Sequence, residues 1–290
     1  MKPAPFQYFA PTTIEETLAL LAEHGDQAKI LAGGQSLVPT MNFRLATPTI
    51  LIDINRVAEL SYLDSRNGNL AIGAMTRQRT LERDAQIARC APLIAETMPF
   101  VAHPQIRNRG TLGGSLAHAD PAAELPAVMI ATNAKIKVKN KKQERWVDAE
   151  NFFTGLFSTT LQPDELLVEI LLPPMSPRTG WAFQEVARRH GDFALAGVAC
   201  AVTLNARDVC TQARIVLLGV SAEPVDARDA AKQLIGVEPN ANAIRAASEA
   251  VALAIDPSSD IHASADFRRQ LAKTLTQRAL QHAVVRAKES

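Results

Sequence analysis

Two short stretches carry the residue types that can grip an anionic ligand. In LAGGQS, at 31–36, the adjacent glycines Gly33 and Gly34 lead into Gln35 and Ser36; in GTLGGS, at 110–115, Thr111, Gly113, Gly114 and Ser115 repeat the combination. Glycine admits positive φ and carries no side chain to block a ligand. Consecutive backbone N–H groups can then turn inward as an anion nest, with serine and threonine hydroxyls as further donors. A diphosphate is the natural guest. Each stretch alone is also what a tight turn looks like; if the two meet in space, they can hold both sides of a pyrophosphate. Neither has the GxGxxG spacing of a Rossmann dinucleotide fold or the GxxxxGK(S/T) of a phosphate loop, which disfavours a plain NAD dehydrogenase or an ATPase.

Other chemistries find little support. Cys90, Cys200 and Cys210 are far apart and offer no CxxC or iron–sulfur spacing. His103 and His118 bracket the second glycine stretch, but none of the six histidines sits at metal-ligand spacing, so no metal site is expected. No Ser–His–Asp or Cys–His arrangement is visible, and no catalytic residue is assigned. Arg188 and Arg189 are either a solvated pair or a contact for a partner or an electron acceptor.

The elements around these stretches read as α+β. Thr13 and Glu16 suggest a capping box opening a helix that stops at Gly25. Strands at 29–31 and 49–54 flank the first glycine stretch, which reads as a loop. Short strands follow at 60–63 and 70–73 around a polar turn at 64–69, with helices at 80–88 and 90–101 and a break expected at Pro92 or Pro99. A helix from Pro121 to Ala131, a hairpin of 134–138 with 144–147, and a strand at 166–172 complete this part. Pro173–Pro177 marks a boundary. Beyond it come strands at 181–188, 197–204 and 213–219, then helices at 226–235, 240–254 and 264–285. The last helix aligns Phe267, Leu271, Leu275 and Leu280. The expected division is 1–176, with subdomains of about 1–56 and 57–176, and 177–290.

The 290 residues suffice for this arrangement, and the formal net charge of +1 gives no reason to expect nucleic acid or an anionic membrane as partner. No stretch is apolar enough to span a bilayer, and the N-terminus lacks the apolar core of a secretory signal, so a cytoplasmic protein without a membrane span is expected.

Longer segments around the glycines carry a resemblance. AGGQSLVPTMNFRLATPTILIDINRV (32–57), IGAMTR (72–77), HPQIRNRGTLGGSLAHADPAAELP (103–126) and ARRHGDFALAGVA (187–199) resemble the FAD-binding medium subunit of the molybdenum hydroxylases, the family of aerobic carbon monoxide dehydrogenase and xanthine dehydrogenase. The resemblance covers nearly the whole chain. It implies the two-subdomain FAD-binding module of the vanillyl-alcohol-oxidase/PCMH type, followed by a C-terminal domain with a three-stranded antiparallel sheet and helices.

By this resemblance FAD is bound non-covalently. Ala32, Gly33, Gly34, Gln35, Ser36 and Leu37, with Thr111, Gly113, Gly114 and Ser115, hold the diphosphate. Asp120, beside Ala119, joins the ribityl or adenosine-side polar network, and Val101, Ala102, Ile106 and Asn108 line the same cleft. Leu161 and Leu167 belong to a segment that carries backbone contacts to the flavin or adenine portion. Phe193, after the Gly191–Asp192 turn, stands where the family often has a tyrosine; a phenyl ring keeps stacking and shielding of the isoalloxazine but loses the phenol's hydrogen bond. A small partner subunit carries the [2Fe-2S] clusters and a large one the molybdopterin cofactor, in a dimer of heterotrimers. The chain then receives electrons from the clusters and hands them to an external acceptor, and substrate chemistry stays on the large subunit. The cysteine-rich insertion of the 4-hydroxybenzoyl-CoA reductases is missing, which argues against that subtype. Two alternatives differ in class: a self-contained FAD-dependent oxidase or dehydrogenase, which would turn over an organic donor alone, and a non-catalytic assembly subunit, which would purify colourless.

Overall fold

The first helix begins where its cap residues put it. Thr13 Oγ1 accepts from the Glu16 N–H at 3.1 Å, while the Glu16 carboxylate turns back to the Thr12 N–H at 2.7 Å, one residue earlier than a capping box requires. In the computed structural model, which describes residues 2–290, this helix α1 (Ile14–His24) belongs to a first unit with β1 (Gln7–Phe9), β2 (Ala28–Leu31), α2 (Leu37–Asn42) and β3 (Ile50–Asp53). Its strands form a parallel sheet in the order β1-β3-β2, with Ile30 opposite Ile52. Leu18 and Leu21 of α1 pack on Ile50 and Ile52 in one buried cluster. Helix α2 occupies part of what the sequence reads as loop.

The second unit starts with a correction. The strand expected at 60–63 is instead a 3-10 turn (Ala58–Leu60) followed by β4 (Leu63–Arg66), which pairs with β5 (Asn69–Gly73). Asn67 and Gly68 have φ of 53° and 82°. That is the signature of a two-residue type I′ hairpin turn, so the chain needs no longer turn there. The helical stretch over 80–101 is three helices, α3 (Gln78–Arg83), α4 (Ala85–Cys90) and α5 (Pro92–Thr97): the break at Pro92 is the expected one and that at Asp84 is unexpected. Asp84 restarts the helix by accepting from the Gln86 N–H at 2.7 Å, and Pro92 opens the next one. Then come α6 (Pro104–Arg107), α7 (Leu112–His118), α8 (Glu124–Ala131), the hairpin β6 (Lys135–Lys139) and β7 (Glu144–Asp148), the small ribbon β8 (Phe153–Gly155) and β9 (Ser158–Thr159), and β10 (Leu166–Leu172). The five longer strands make an antiparallel sheet in the order β4-β5-β10-β6-β7.

In the third unit β11 (Thr179–Ala187), β12 (Ala194–Leu204) and β13 (Cys210–Leu218) pair antiparallel, and the edge strand β14 (Val225–Asp226) makes a sheet of four where three were expected. Two residues are too few for alternation to reveal a strand. Helices α9 (Arg228–Lys232), α10 (Ala241–Ala254) and α11 (Ala265–Glu289) close this unit, with Leu275 and Leu280 of α11 buried on the sheet. Phe267 departs from the expected stripe and is 48% exposed. The inward position of that turn belongs to Arg268, which donates to Leu195 O at 2.6 Å and Gly219 O at 3.0 Å.

Helix α8 joins the second and third units. All eight of its residues are buried, and it lies against β12 and β13 on one side and α5 and α7 on the other. A helix that is apolar all round is one that has neighbours all round. No helix among the described residues is long and apolar enough to cross a membrane.

Candidate functional site

Strand β2 runs out into a turn built on Gly34, whose φ of 74° suits glycine. From Gly33 through Leu37 no backbone N–H donates to another described residue; Val38 is the first that does, to Gly34 O at 3.1 Å. A run of successive main-chain donors therefore stands open after β2, as an anion nest requires.

The second motif is built differently and corrects the expectation of two equivalent nests. It is the first turn of α7. Leu112 N–H donates to Thr76 O at 3.1 Å, Gly113 N–H to Ala74 O at 2.8 Å, and Gly114 N–H to Thr111 Oγ1 at 3.1 Å. Its amides are satisfied within the protein. The glycines here allow close approach instead: a Cβ on Gly113 would lie 2.7 Å from Ala74 Cβ and 2.8 Å from Ala74 O. Half-buried Gly114 and Ser115 are what this turn presents outward.

The two motifs meet. A Cβ on Gly33 would lie 2.5 Å from Arg109 O and 2.8 Å from Gly110 Cα, and one on Gly114 would lie 3.4 Å from Ala32 Cβ. The first motif thus packs along a seam whose other wall is the start of α7.

A polar chain braces this seam. Tyr8 OH donates to Asp53 Oδ2 at 2.6 Å, and Asn55 donates to Asp53 Oδ1 from its backbone N–H at 2.9 Å. Asn55 Nδ2 also reaches Ala32 O at 2.7 Å. Arg77 donates to Asn55 Oδ1 at 2.7 Å and to Arg109 O at 2.5 Å. Burial works to raise the Asp53 carboxyl, but the hydrogen bonds from Tyr8 and Asn55 outweigh it and hold the group below its ordinary value. Burial, aided by the charge of Arg109, lowers Arg77. Reading the sequence for glycines and hydroxyls misses Asp53, Asn55 and Arg77. Their signal was their place in the LIDINRV and IGAMTR segments that carry the resemblance.

The remaining candidates fall into three groups. Val101 and Ala102 form a tight bend, Ala102 at φ 44°, pinned by buried Arg107, which donates to Val101 O at 2.8 Å and Ala102 O at 3.1 Å. Ile106 is half-buried and Asn108 exposed on the approach to the second motif. The β11–β12 turn sits on this bend, since a Cβ on Gly191 would lie 2.6 Å from His103 Nδ1 and 3.0 Å from Ala102 O. That turn carries Phe193, which is 73% exposed. Arg188, in the same turn, is solvated and lies 3.0 Å from His262 Nδ1.

At the far end of α7, Ala119 takes a left-handed φ of 51° and Asp120 Oδ1 accepts from the Ala122 N–H at 2.9 Å. Asp120 thereby caps a turn rather than the helix, which begins only at Glu124. His118 stacks on Phe157 with ring centroids 5.1 Å apart, and burial lowers its pKa against the pull of Asp120. Leu161 is partly buried against the main core. The Leu167 side chain is in the core and its strand pairs with β6 opposite Val138.

The chain is similar to known proteins over nearly its whole length. Residues 4–175 match the family described as the FAD binding domain in molybdopterin dehydrogenase, and residues 181–283 match the CO dehydrogenase flavoprotein C-terminal domain. The chain is 42% identical over 288 residues to the 6-hydroxypseudooxynicotine dehydrogenase complex subunit alpha of Paenarthrobacter nicotinovorans, covering 99% of this chain and 97% of that one. It is 42% identical, at the same coverage, to the caffeine dehydrogenase subunit beta of Pseudomonas sp. (strain CBB1). Among solved structures, a chain of carbon monoxide dehydrogenase from Hydrogenophaga pseudoflava superimposes with a TM-score of 0.96 at 37% identity, covering 99% of each chain. One of quinoline 2-oxidoreductase from Pseudomonas putida 86 gives 0.93 at 38% identity, again covering 99% of each. The chain belongs to the FAD-binding medium subunits of the molybdenum hydroxylases.

Proposed function

We propose that this chain is the FAD-carrying electron-transfer subunit of a heteromeric, cytoplasmic molybdenum hydroxylase. In this reading a small subunit with [2Fe-2S] clusters delivers the electrons, a large molybdopterin subunit holds the substrate chemistry, and the assembly is a dimer of heterotrimers. The observation that carries the reading is the seam: open N–H groups from Gly33 to Leu37, walled by Gly114 and Ser115. That donor set fits a diphosphate held without a covalent bond, because it offers several main-chain dipoles and bare backbone on the side a ligand must approach. FAD, when bound, supplies the redox chemistry and can mediate between one- and two-electron steps.

The chain's own residues bind and orient. The amides of Gly33, Gly34, Gln35, Ser36 and Leu37 take the diphosphate, with the Ser115 hydroxyl opposite. Asp120 offers a carboxylate oxygen to a ribityl or ribose hydroxyl. Ala102 and Ile106 line the cleft beside the bend, and Phe193, exposed on its turn, offers a phenyl face to cover the isoalloxazine. We place the division of the chain at 176, in the proline-rich link between β10 and β11, with a further one near residue 56.

Affinity isolation of the tagged chain from its own cells, with metal and flavin analysis, tests the reading. A small iron–sulfur protein, a large molybdenum protein and stoichiometric FAD are expected. A colourless protein without partners would refute it, and turnover of an organic donor by the chain alone would favour a self-contained oxidase. Replacing Gly114 by alanine should weaken FAD binding, because the added Cβ lies 3.4 Å from Ala32 Cβ in the seam and 2.7 Å from Thr111 Oγ1, whose hydroxyl must shift; circular dichroism checks that the start of α7 survives, and unchanged FAD content would contradict the contact.

A further inference from the structure

We propose that Arg77 is a positioning residue that locks the two glycine motifs together and so shapes the diphosphate cradle. This rests on the FAD reading above. Arg77 stands between β5 and α3, and its backbone bridges to Thr111, the cap of the second motif. One arm of its guanidinium donates to Asn55 Oδ1 at 2.7 Å, and Asn55 Nδ2 in turn holds Ala32 O at 2.7 Å, immediately before Gly33. The other arm donates to Arg109 O at 2.5 Å, the carbonyl against which Gly33 packs. A planar fork with donors in fixed directions can bridge two oxygens this way; a single ammonium on a flexible stem cannot hold both.

The choice of partners is unusual for a half-buried arginine. Nearby Arg107 is neutralised by Glu82, with two hydrogen bonds of 3.0 Å. Arg77 bonds only neutral oxygens and forms no ion pair among the described residues. Asp53 is one residue further along the chain of bonds, already engaged by Tyr8 and Asn55, and the charge of Arg109 lies close by. Two guanidinium groups stand at one seam against a single carboxylate, Asp53, whose charge acts on both; the balance is positive beside amides that already favour an anion. Arg77 therefore does two things: it fixes the distance between the walls, and it leaves a charge for the diphosphate to complement.

The test uses the intact complex, stripped of flavin, and titrates FAD, ADP and riboflavin against wild type, Arg77→Gln, Arg77→Lys and Asn55→Ala. Loss of a charged hydrogen-bonding group should weaken FAD and ADP roughly 10- to 100-fold in Arg77→Gln, with riboflavin little changed. Arg77→Lys, which keeps the charge and loses the two-way bridge, should fall by about 10-fold, as Asn55→Ala does. Asn55→Ala should weaken both by about 10-fold, and adding it to Arg77→Gln should bring little further loss, since both act through one chain of bonds. Wild-type affinity in Arg77→Lys, equal loss of riboflavin, or full additivity of the double variant would each overturn the proposal. Circular dichroism checks the fold, and if Arg77→Gln does not fold, Asn55→Ala decides by the same FAD-against-riboflavin comparison. A wild-type protein that binds neither FAD nor ADP would instead remove the reading on which the proposal rests.

Discussion

Glu185→Gln should stabilise the protein in mildly alkaline solution and leave it unchanged in acid. Glu185 lies on β11, and its Oε2 is buried without a hydrogen-bond partner. Burial pushes its carboxyl up to about 9, and the charge of Glu124 adds to the effect. Glu124, buried in the first turn of α8, is itself pushed up to about 7. In the unfolded chain both carboxyls return to their ordinary value of 4.5. The folded protein therefore keeps a proton on Glu185 that the unfolded chain releases above that value. The stability this contributes is complete in acid and falls by up to about 1.4 kcal/mol for each pH unit on the way to the folded value. Glutamine has the same shape and cannot ionise. From about pH 6 to about pH 8 the variant should gain about 2–3 kcal/mol on the wild type. For a chain of this size that is a difference in Tm widening by roughly 4–10 °C. Thermal unfolding of both proteins across this range measures it. Parallel Tm curves, or a wild type that gains on the variant as pH rises, would show that Glu185 is ionised in the folded protein and refute the argument.

Three further outcomes follow from the packing. Arg286 ties α11 to α5 and β11, donating to Glu96 at 2.5 Å and to Trp181 O at 2.6 Å; Arg286→Ala should cost about 1–3 kcal/mol in denaturant titration. Phe152 is fully buried and packs edge-on against Phe153; Phe152→Ala should cost about 3–5 kcal/mol, read as a lower midpoint with unchanged slope. Burial pushes Cys200 up to about 12 and Cys210 up to about 11, whereas Cys90 is only half-buried. A thiol reagent should therefore modify Cys90 in the native protein and all three cysteines after denaturation.

The elements that could be read from the sequence are those whose signal is local. The apolar run of β10 and the Thr13 cap of α1 stand in the structure where their residues place them. The glycine motifs were recognisable for the same reason, and so was their likeness to a known family. What could not be read depends on distant partners. Gly113 and Gly114 look like a second nest, but whether their amides are open depends on Ala74 O and the Thr111 hydroxyl. Arg77 has no chemistry in its own segment; it acquires a role only because Asn55 and Arg109 O converge on it. In α11 the apolar stripe holds at Leu271, Leu275 and Leu280 and fails only at its first turn, where a buried arginine with backbone partners takes the place of the aromatic ring.

Helix α8 has no side that faces water, and this ties the histories of its neighbours together. A change of volume at Val128 or Met129 is felt by the strands on one flank and by the helices on the other, so neither flank can drift alone. The proline-rich link between β10 and β11 joins the second and third units, and the packing continues across it. A gene rearrangement that carried off only the flavin-binding portion would expose an apolar wall in need of a new cover. The two portions are accordingly expected to be inherited as a pair.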